Sequence, residues 1–237
     1  MKVLVIPDIH LKTHMLLKAR KIMLSGKADM AVFLGDIVDD WGCGDNDLLY
    51  KDVFEEVVKF KKDFPNSKYC VGNHELAYLY NMPCSGTSIK LLGLVTQLLY
   101  GLRHEFGADF GVAIRQDNVI FSHAGISEDW LKVHYERELS LGVSAEALLE
   151  RINYLEDKDR RLWEDESPVW LRPSSQKLFL ENKVLHVVGH TPVYEPTQEG
   201  GMLILDTFST MPSGENIGNA KFVIINTETQ EWEYADL

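Results

Sequence analysis

Five apolar segments of this chain each run directly into side chains that can bind a metal ion. Short runs rich in valine, isoleucine and phenylalanine are typical of buried β-strands. Because parallel strands bring their carboxyl ends to one edge of a sheet, we expect the side chains that follow the runs to meet in one place. The segments are residues 3–10, 31–36, 69–75, 119–123 and 187–190. A fold that places several such strands in parallel is therefore the main constraint on this chain.

The chain as a whole alternates predicted strands and helices, which is the signature of a mostly parallel sheet in an α/β protein. Apolar residues at helical spacing predict helices at residues 12–25, 48–64, 88–104, 128–140 and 144–155. Strands are predicted at residues 1–6, 30–34, 68–71, 111–114, 118–121, 184–188, 202–205, 221–226 and 231–234, with a hairpin between 111–114 and 118–121. No internal repeat or low-complexity linker interrupts the sequence, which predicts one domain over residues 1–237.

Composition narrows the class of protein. Hydrophobic residues fill 45% of the 237 positions, enough for a sizeable core, and no apolar run reaches the roughly 18 residues of a membrane helix. The formal net charge is −12 and basic residues do not cluster, which argues against binding to duplex nucleic acid. Three cysteines without metal-type spacing, and a first segment unlike a signal peptide, predict reduced thiols and a cytoplasmic location.

The polar residues after the strands have the chemistry of a two-metal site. Asp8 and His10 stand two residues apart, so on a strand they face the same side and can bind one ion. Asp36 follows the next strand, and its two carboxylate oxygens can bridge two cations. Mixed oxygen and nitrogen ligands suit Mn²⁺, Fe or Zn²⁺ better than Ca²⁺, and two ions about 3.5–4 Å apart can clamp an in-line displacement at phosphorus. The further oxygen and nitrogen donors are Asn73, His123 and His190.

Taken in order, these motifs resemble those of the calcineurin-like metallophosphoesterases. The motifs are Asp8-x-His10, Gly35-Asp36-x-x-Asp39, Gly72-Asn73-His74-Glu75, His123-Ala124-Gly125 and Gly189-His190, and their order and separation match over residues 5–192. The resemblance implies an α/β fold, a four-layer αββα sandwich with two mixed β-sheets. It also implies a hydrolase in which a metal-bound hydroxide attacks a phosphoester. The implied cofactors are two divalent cations, Mn²⁺ first, with Fe, Zn²⁺ and Ni²⁺ as alternatives.

The resemblance also assigns a role to each matching residue. It makes His74 the general acid that protonates the leaving oxygen and Asp39 the carboxylate that orients His74. A carboxylate at the distal ring nitrogen fixes the tautomer and raises the pKa of the imidazole, which keeps the acid form available. The resemblance places Asp8, His10 and Asp36 on the first metal, and Asp36, Asn73, His123 and His190 on the second.

Other phrases resemble the phosphoprotein phosphatase branch, which includes the diadenosine tetraphosphatases. Residues 189–192 read Gly-His-Thr-Pro, so the second histidine of the Gly-His-x-His phrase of many relatives is absent. Residues 169–173 resemble a Trp-x-Arg phrase whose arginine contacts phosphate, which makes Arg172 the predicted phosphate ligand. The branch usually reads Asp-Arg-Gly where residues 39–42 read Asp-Asp-Trp-Gly, and we expect Asp40 to turn away from the substrate. The alternatives to Arg172 are Arg115, Arg160 and Arg161.

These features favour a phosphoesterase that acts on phosphomonoesters, including phosphoserine or phosphothreonine in proteins. The alternative within the class is hydrolysis of diadenosine tetraphosphate or another nucleotide anhydride. A hypothesis from another class is a non-catalytic scaffold that uses the same fold to bind a partner. The expected partners are thus a phosphorylated protein or a small phosphoester, and neither duplex nucleic acid nor a membrane.

The remaining prominent residues have a plainer interpretation. Glu75 is expected to be a structural hydrogen-bond acceptor, and Asp206 either supports the site or ends a strand as a turn carboxylate. The charge-dense residues 156–166 predict a solvated helix face or a loop, with a lid over the site as the alternative. Packing or surface roles are expected for His14, His104, His134 and His186, and core or loop-anchor roles for Trp41, Trp163 and Trp170.

Overall fold

The computed structural model of the chain describes residues 1–154, 159–173 and 176–235. The strands are β1 Lys2–Ile6, β2 Met30–Phe33, β3 Lys68–Cys70, β4 Phe110–Gly111, β5 Ala113–Gln116, β6 Val119–Ser122, β7 Leu185–Val188, β8 Thr197–Glu199, β9 Met202–Ile204, β10 Val223–Asn226 and β11 Trp232–Tyr234. The helices are α1 Thr13–Leu24, α2 Asp47–Asp63, α3 Asn73–Leu79, α4 Leu92–Phe106, α5 Glu128–Ser140 and α6 Ala145–Asn153, with 3₁₀ turns at Gly107–Asp109 and Arg160–Trp163.

Two mixed sheets form the centre of the fold. The first has the strand order β11-β10-β1-β2-β3-β4, in which β1 to β4 are parallel and β10 runs antiparallel to both of its neighbours, β1 and β11. The second has the order β5-β6-β7-β9-β8, with β6, β7 and β9 parallel and an antiparallel strand at each edge. The parallel strands of each sheet therefore end at a common edge.

Strand periodicity explains how the sheets pack. In β1 the side chains of Val3 and Val5 face the second sheet, whereas Leu4 and Ile6 face the helices, and all four are fully buried. Strands covered on both faces have continuous apolar sequences, as β1, β2, β6 and β7 do. Helices α1, α2 and α4 cover the first sheet, and α6 packs on β5 of the second. The predicted αββα sandwich with two mixed sheets is confirmed.

The predicted strand at residues 111–114 is wrong, because the chain changes sheets within it. Phe110–Gly111 pairs with β3 of the first sheet, and Ala113–Gln116 forms the hairpin with β6 of the second. Asn153, at the end of α6, accepts the backbone N–H groups of Val112 and Ala113 at 2.8 and 2.9 Å and so holds the crossing. The hairpin itself is therefore formed, with its first strand two residues and its second strand one residue later than predicted.

Two further differences concern elements near the site. Helix α4 begins at Leu92 rather than at residue 88, because Ser88 donates its backbone N–H to the hydroxyl of Tyr78 and accepts the N–H of Leu91. Helix α3 and the short strand β8 were not predicted. Of the charge-dense segment, residues 156–158 lie outside the described residues, as does Leu155 of the predicted helix 144–155. Nowhere in the described ranges is there a helix with the length and hydropathy of a membrane span.

Candidate metal centre

The side chains that follow five parallel strands converge at one place, as predicted. Two trios of ligand atoms, each within 4.8 Å of one another, are formed by Asp8, His10 and Asp36 and by Asp36, His123 and His190. Asp36 belongs to both trios, which is the arrangement that two bridged cations require. The amide oxygen of Asn73 lies 2.9 Å from Nε2 of His123 and joins the second trio. All six predicted ligand residues are therefore together, and their roles as ligands stay a prediction.

Backbone carbonyl groups fix the tautomers of two of the histidines. Nδ1 of His10 lies 2.8 Å from the carbonyl oxygen of Asp39, and Nδ1 of His123 lies 2.8 Å from that of Leu34. A carbonyl oxygen can only accept, so each Nδ1 carries a proton and each Nε2 is the ring nitrogen left to face the site. Neutral imidazole with a free lone pair is the form that binds a metal.

The donor set fits divalent cations. Among the described residues, the buried atoms Oδ2 of Asp8 and Nε2 of His190 have no hydrogen-bond partner, which is costly for groups shielded from water. Burial, followed by the nearby carboxylates of Asp206 and Asp36, raises the pKa of Asp8 well above its usual value. A cation between these groups would satisfy the two unpartnered atoms and offset the repulsion between carboxylates.

The glycine that precedes several ligands is explained by close approach. A Cβ atom on Gly72 would collide with a carboxylate oxygen of Asp36, and one on Gly189 would collide with a carboxylate oxygen of Asp8. Any larger residue at either position would therefore displace a predicted metal ligand. This geometry accounts for the Gly-Asn and Gly-His pairs of the sequence motifs.

Glu75 holds the backbone around Asp36, in agreement with its predicted structural role. Its Oε2 accepts the N–H groups of Asp36 and Gly72, both at 2.8 Å, and its Oε1 accepts that of Ile37 at 2.9 Å. Asp36 has a φ of +50°, a left-handed conformation that a non-glycine residue adopts only when its surroundings enforce it. One buried carboxylate thus joins the loop after β2 to the start of α3.

Next to the ligands lies the predicted acid pair. Nδ1 of His74 is 2.8 Å from Oδ2 of Asp39, and Nε2 of His74 is 4.0 Å from Oδ2 of Asp36. Burial lowers the pKa of His74, but the charges of Asp36 and Asp39 outweigh it and raise that pKa to about 9. Within the protein's own charge field, His74 is therefore held as an acid with a proton to give.

Two buried tyrosines that sequence analysis missed complete this pair. The hydroxyl groups of Tyr50 and Tyr78 donate to Oδ1 of Asp39 at 2.6 and 2.5 Å, leaving Oδ2 for His74. Tyr78 follows His74 by four residues on α3, so helical spacing would have revealed it had α3 been predicted. Tyr50 lies on α2 and has no comparable signal in the sequence.

A cavity of about 280 Å³ opens onto the ligands and the acid pair. Arg172 lies in its wall, where Nη1 donates to the carbonyl oxygen of His190 at 2.7 Å. Among the described lining residues, Arg172 is the only arginine or lysine. Two of the alternatives are bound elsewhere, Arg115 to Glu146 and Arg161 to Asp159. The lining residues are His10, Asp36, Asp39, Asp40, Trp41, Asn73, His74, Cys84, Ser85, Gly86, Trp170, Arg172, His190, Pro192, Asp206, Ser209, Thr210 and Ile217.

The expectation that Asp40 turns away is wrong, because Asp40 lines the cavity. Its charge is neutralised, since Lys12 donates to Oδ2 at 2.9 Å while Thr210 and the N–H of Trp41 donate to Oδ1 at 2.5 and 2.9 Å. Burial raises the pKa of Asp40, but the bonds from Thr210 and Lys12 outweigh it and leave the pKa below its usual value. Asp40 therefore joins three loops at the cavity rim instead of repelling a phosphate from a free charge.

Other residues differ in how well they match expectation. The indole of Trp41 is 49% exposed on the cavity wall, unlike a core or loop anchor, whereas Trp163 and Trp170 pack against each other at 5.4 Å between ring centroids. His186 is a core histidine, as expected, with Nε2 bonded to the carbonyl of Phe179 and a pKa that burial lowers to about 4. Asp206 supports the site: it is buried, lines the cavity and is held by Ser209.

Comparison with protein families agrees with this geometry. The sequence model of the calcineurin-like phosphoesterase family matches residues 1–224 of this chain. The chain therefore belongs to the calcineurin-like phosphoesterase family, whose members are metal-dependent phosphoester hydrolases. A comparison with curated proteins by sequence gave no match.

Solved structures show the same fold. A cold-active protein-tyrosine phosphatase of the psychrophile Shewanella sp. is 18% identical, with 99% of this chain and 80% of that chain covered and a TM-score of 0.55. Another structure described as a cold-active protein tyrosine phosphatase, at 1.1 Å, is 19% identical, with 98% and 78% covered and a TM-score of 0.55. A hypothetical protein from Pyrococcus horikoshii OT3 is 13% identical, with 98% and 86% covered and a TM-score of 0.50.

Proposed function

We propose that this chain is a cytoplasmic, single-domain phosphomonoesterase of the phosphoprotein phosphatase branch, which acts on a phosphorylated protein or a small phosphoester. The observation that carries the proposal is one cavity lined by the His74–Asp39 pair, by Arg172 and by members of the two ligand trios that share Asp36. The trio members in its wall are His10, Asp36 and His190. A phosphomonoesterase needs these three parts, namely a cation site, a proton donor for the leaving group and a cationic phosphate ligand.

The residues that would hold the cations are those of the two trios together with Asn73. In the proposal Asp8, His10 and Asp36 bind the first and Asp36, Asn73, His123 and His190 bind the second. When bound, two divalent cations supply a water activated at neutral pH and neutralise charge on the phosphoryl oxygens. Mn²⁺ is the proposed native ion, since mixed carboxylate, amide and imidazole ligands suit it.

The chain's own residues do the rest of the chemistry. The guanidinium of Arg172 hydrogen-bonds a phosphoryl oxygen and orients the ester. Water attacks phosphorus and loses a proton to solvent as the bond to the leaving oxygen breaks, while His74 gives its Nε2 proton to that oxygen. His74 then regains a proton from solvent, which completes the cycle. Asp39 keeps Nδ1 of His74 protonated and the ring in place, and Tyr50 and Tyr78 hold Asp39. Phosphate and an alcohol or phenol are released.

A second candidate is hydrolysis of a nucleotide anhydride such as diadenosine tetraphosphate. The exposed indole of Trp41 in the cavity wall favours it, because an aromatic side chain there can stack on a base. Initial rates on a phosphopeptide and on the dinucleotide, measured with the same Mn²⁺-loaded protein, separate the two candidates. Faster turnover of the dinucleotide would replace the first proposal with the second.

The test of the function is metal content by elemental analysis, paired with hydrolysis of p-nitrophenyl phosphate after Mn²⁺ loading. Two equivalents of metal with turnover are expected. The matched control is protein in which the exposed carboxylate of Asp52 on α2 is changed by Asp52→Asn, which should bind and turn over equally. Protein that binds two equivalents and hydrolyses neither monoester, diester nor anhydride would contradict the proposal and favour a non-catalytic scaffold.

A further inference from the structure

Trp41 occupies an unusual position for a large apolar side chain. Its indole is 49% exposed, yet it lines the cavity that contains the predicted ligands and the acid pair. Hydrophobic free energy scales with buried area, so an indole with half of its surface exposed gives up about half of what full burial would provide. Such a side chain in the wall of a cavity is free to contact a ligand. Ile217 lines the same cavity and is half-buried.

The loop that holds Trp41 is built against this wall. Oδ1 of Asp40 accepts hydrogen bonds from the N–H of Trp41 at 2.9 Å and from the hydroxyl of Thr210 at 2.5 Å. Thr210 pairs with Asn216 in a β-bridge, next to Ile217. The contacts of Asp40 thus bring the loop of Trp41 and the segment of Ile217 to one part of the rim, which we call the Trp41 subsite.

The Trp41 subsite lies in the same cavity as His74, the acid proposed to protonate the leaving group. The leaving group lies beside His74, which protonates it, and the chain that holds His74 through Asp39 continues two residues later into Trp41. On another side of His74, a Cβ on Gly86 would lie 3.2 Å from ring atom Cε1, so the loop 84–86 closes over the ring. The loop of Trp41 and the loop 84–86 therefore both line the cavity that contains the acid pair.

The charge pattern selects the chemistry of the occupant. Asp40 is the charged group nearest to Trp41 in the chain, and Lys12, Thr210 and the N–H of Trp41 already donate to it. The carboxylate of Asp40 is therefore not available to form an ion pair with a cationic leaving group. What the subsite offers is an aromatic face and an aliphatic side chain, which favour a flat apolar ring.

We infer that the Trp41 subsite binds the leaving group of aryl phosphate esters, in which a flat aromatic ring is joined to the ester oxygen. This inference rests on the proposed function, and it names a substrate class within it. The ring stacks on the indole of Trp41 while the phosphoryl group lies at Arg172 and the predicted ligands. The subsite thereby selects aryl over alkyl phosphates.

The test compares phenyl phosphate with ethyl phosphate as substrates of the Mn²⁺-loaded wild type, Trp41→Ala and Trp41→Phe. The aryl-to-alkyl ratio of kcat/KM is taken within each protein, and the change in that ratio between proteins cancels the intrinsic reactivity of the two esters. Trp41→Ala should lower the ratio about tenfold, the size of one aromatic stacking contact, and Trp41→Phe should retain most of it.

A binding measurement separates failure of the inference from failure of the proposed function. Calorimetric titration with phenylphosphonate and methylphosphonate requires no turnover, and the aryl preference should fall about tenfold in Trp41→Ala. The control is Tyr100→Ala, an exposed aromatic on α4 outside the cavity, which should change neither ratio. An unchanged phosphonate preference in Trp41→Ala would overturn the inference. Absent turnover of both esters by the wild type would overturn only the proposed function.

Discussion

The floor and the rim of the cavity are built by different means. The floor consists of Asp8, Asp36 and His123, which are almost fully buried. Each of them forms a hydrogen bond with a backbone group, and Gly72 and Gly189 pack directly against the two carboxylates. On the rim, Trp41 and Arg172 are exposed and lie on loops. The floor admits little change because each ligand is held by several long-range contacts. The rim can vary in sequence, so selectivity is expected to reside there.

Asp36→Asn should break the floor most severely. The change removes charge from the residue shared by both trios while preserving its shape. Mutating a residue that only hydrogen-bonds to a metal ligand typically lowers metal affinity about 10–100-fold. Weakening the shared ligand itself should lower metal affinity further and abolish turnover. Elemental analysis and p-nitrophenyl phosphate hydrolysis measure both effects. Full metal content together with normal turnover would show that Asp36 does not join two sites.

His74→Asn separates the acid from the metal ligands. We expect kcat to fall by about 10²–10⁴-fold, the usual contribution of a general acid, with metal content unchanged. The loss should be larger for ethyl phosphate than for p-nitrophenyl phosphate, because a poor leaving group needs the proton more. Loss of metal, or equal losses on both substrates, would contradict the role given to His74.

Tyr50→Phe and Tyr78→Phe test whether the floor extends into the helices behind it. Each change removes one hydrogen bond to Oδ1 of Asp39, so kcat should fall about tenfold with little change in KM. Steady-state kinetics on an alkyl phosphate, together with Tyr100→Phe as a control, measures this. A change confined to KM would indicate a structural disturbance instead of misplacement of the acid pair.

Asp40→Asn is the mildest change and acts on the rim. It removes the ion pair with Lys12, which should lower the free energy of unfolding by about 1–2 kcal/mol at pH 7 and alter turnover only a few-fold. The folded pKa of Asp40 lies below its usual value, so its stabilisation is complete above the unfolded pKa of about 3.9 and is lost as the pH falls through the folded pKa.

The stability difference between the wild type and Asp40→Asn should accordingly be largest near neutral pH and shrink in acid. Urea denaturation at several pH values measures it. A difference that grows as the pH falls would show that Asp40 is not held as a paired carboxylate.

The positions of the predicted ligands could be read from the sequence because each one follows a strand directly. The shared edge of parallel strands brought His123 and His190 to Asp8. Asp8 and His10 also meet, but not through the period-two spacing of a strand, because both lie beyond the end of β1 and His10 has a φ of +44°. The same logic explains why His186, four residues before His190 on the same chain segment, is different: it lies inside β7 and not beyond its end.

The features that could not be predicted from the sequence depend on contacts between residues far apart in the chain. Asp40 was expected to turn away, yet its position depends on Lys12 and on Thr210, 170 residues further on. The division of residues 111–114 between two sheets depends on Asn153, about forty residues away. No local pattern encodes such contacts, since they exist only once the sheets have packed.

The pairing of β1 has a consequence for the order in which the protein is made. β1, which leads into Asp8, lies between β2 and β10, and β10 comes from the far end of the described chain. During synthesis the ribosome therefore releases β1 long before the strand that covers its second edge. Contacts between distant segments slow folding, so we expect β1 to remain an open edge, exposed to chaperones, until β10 has emerged.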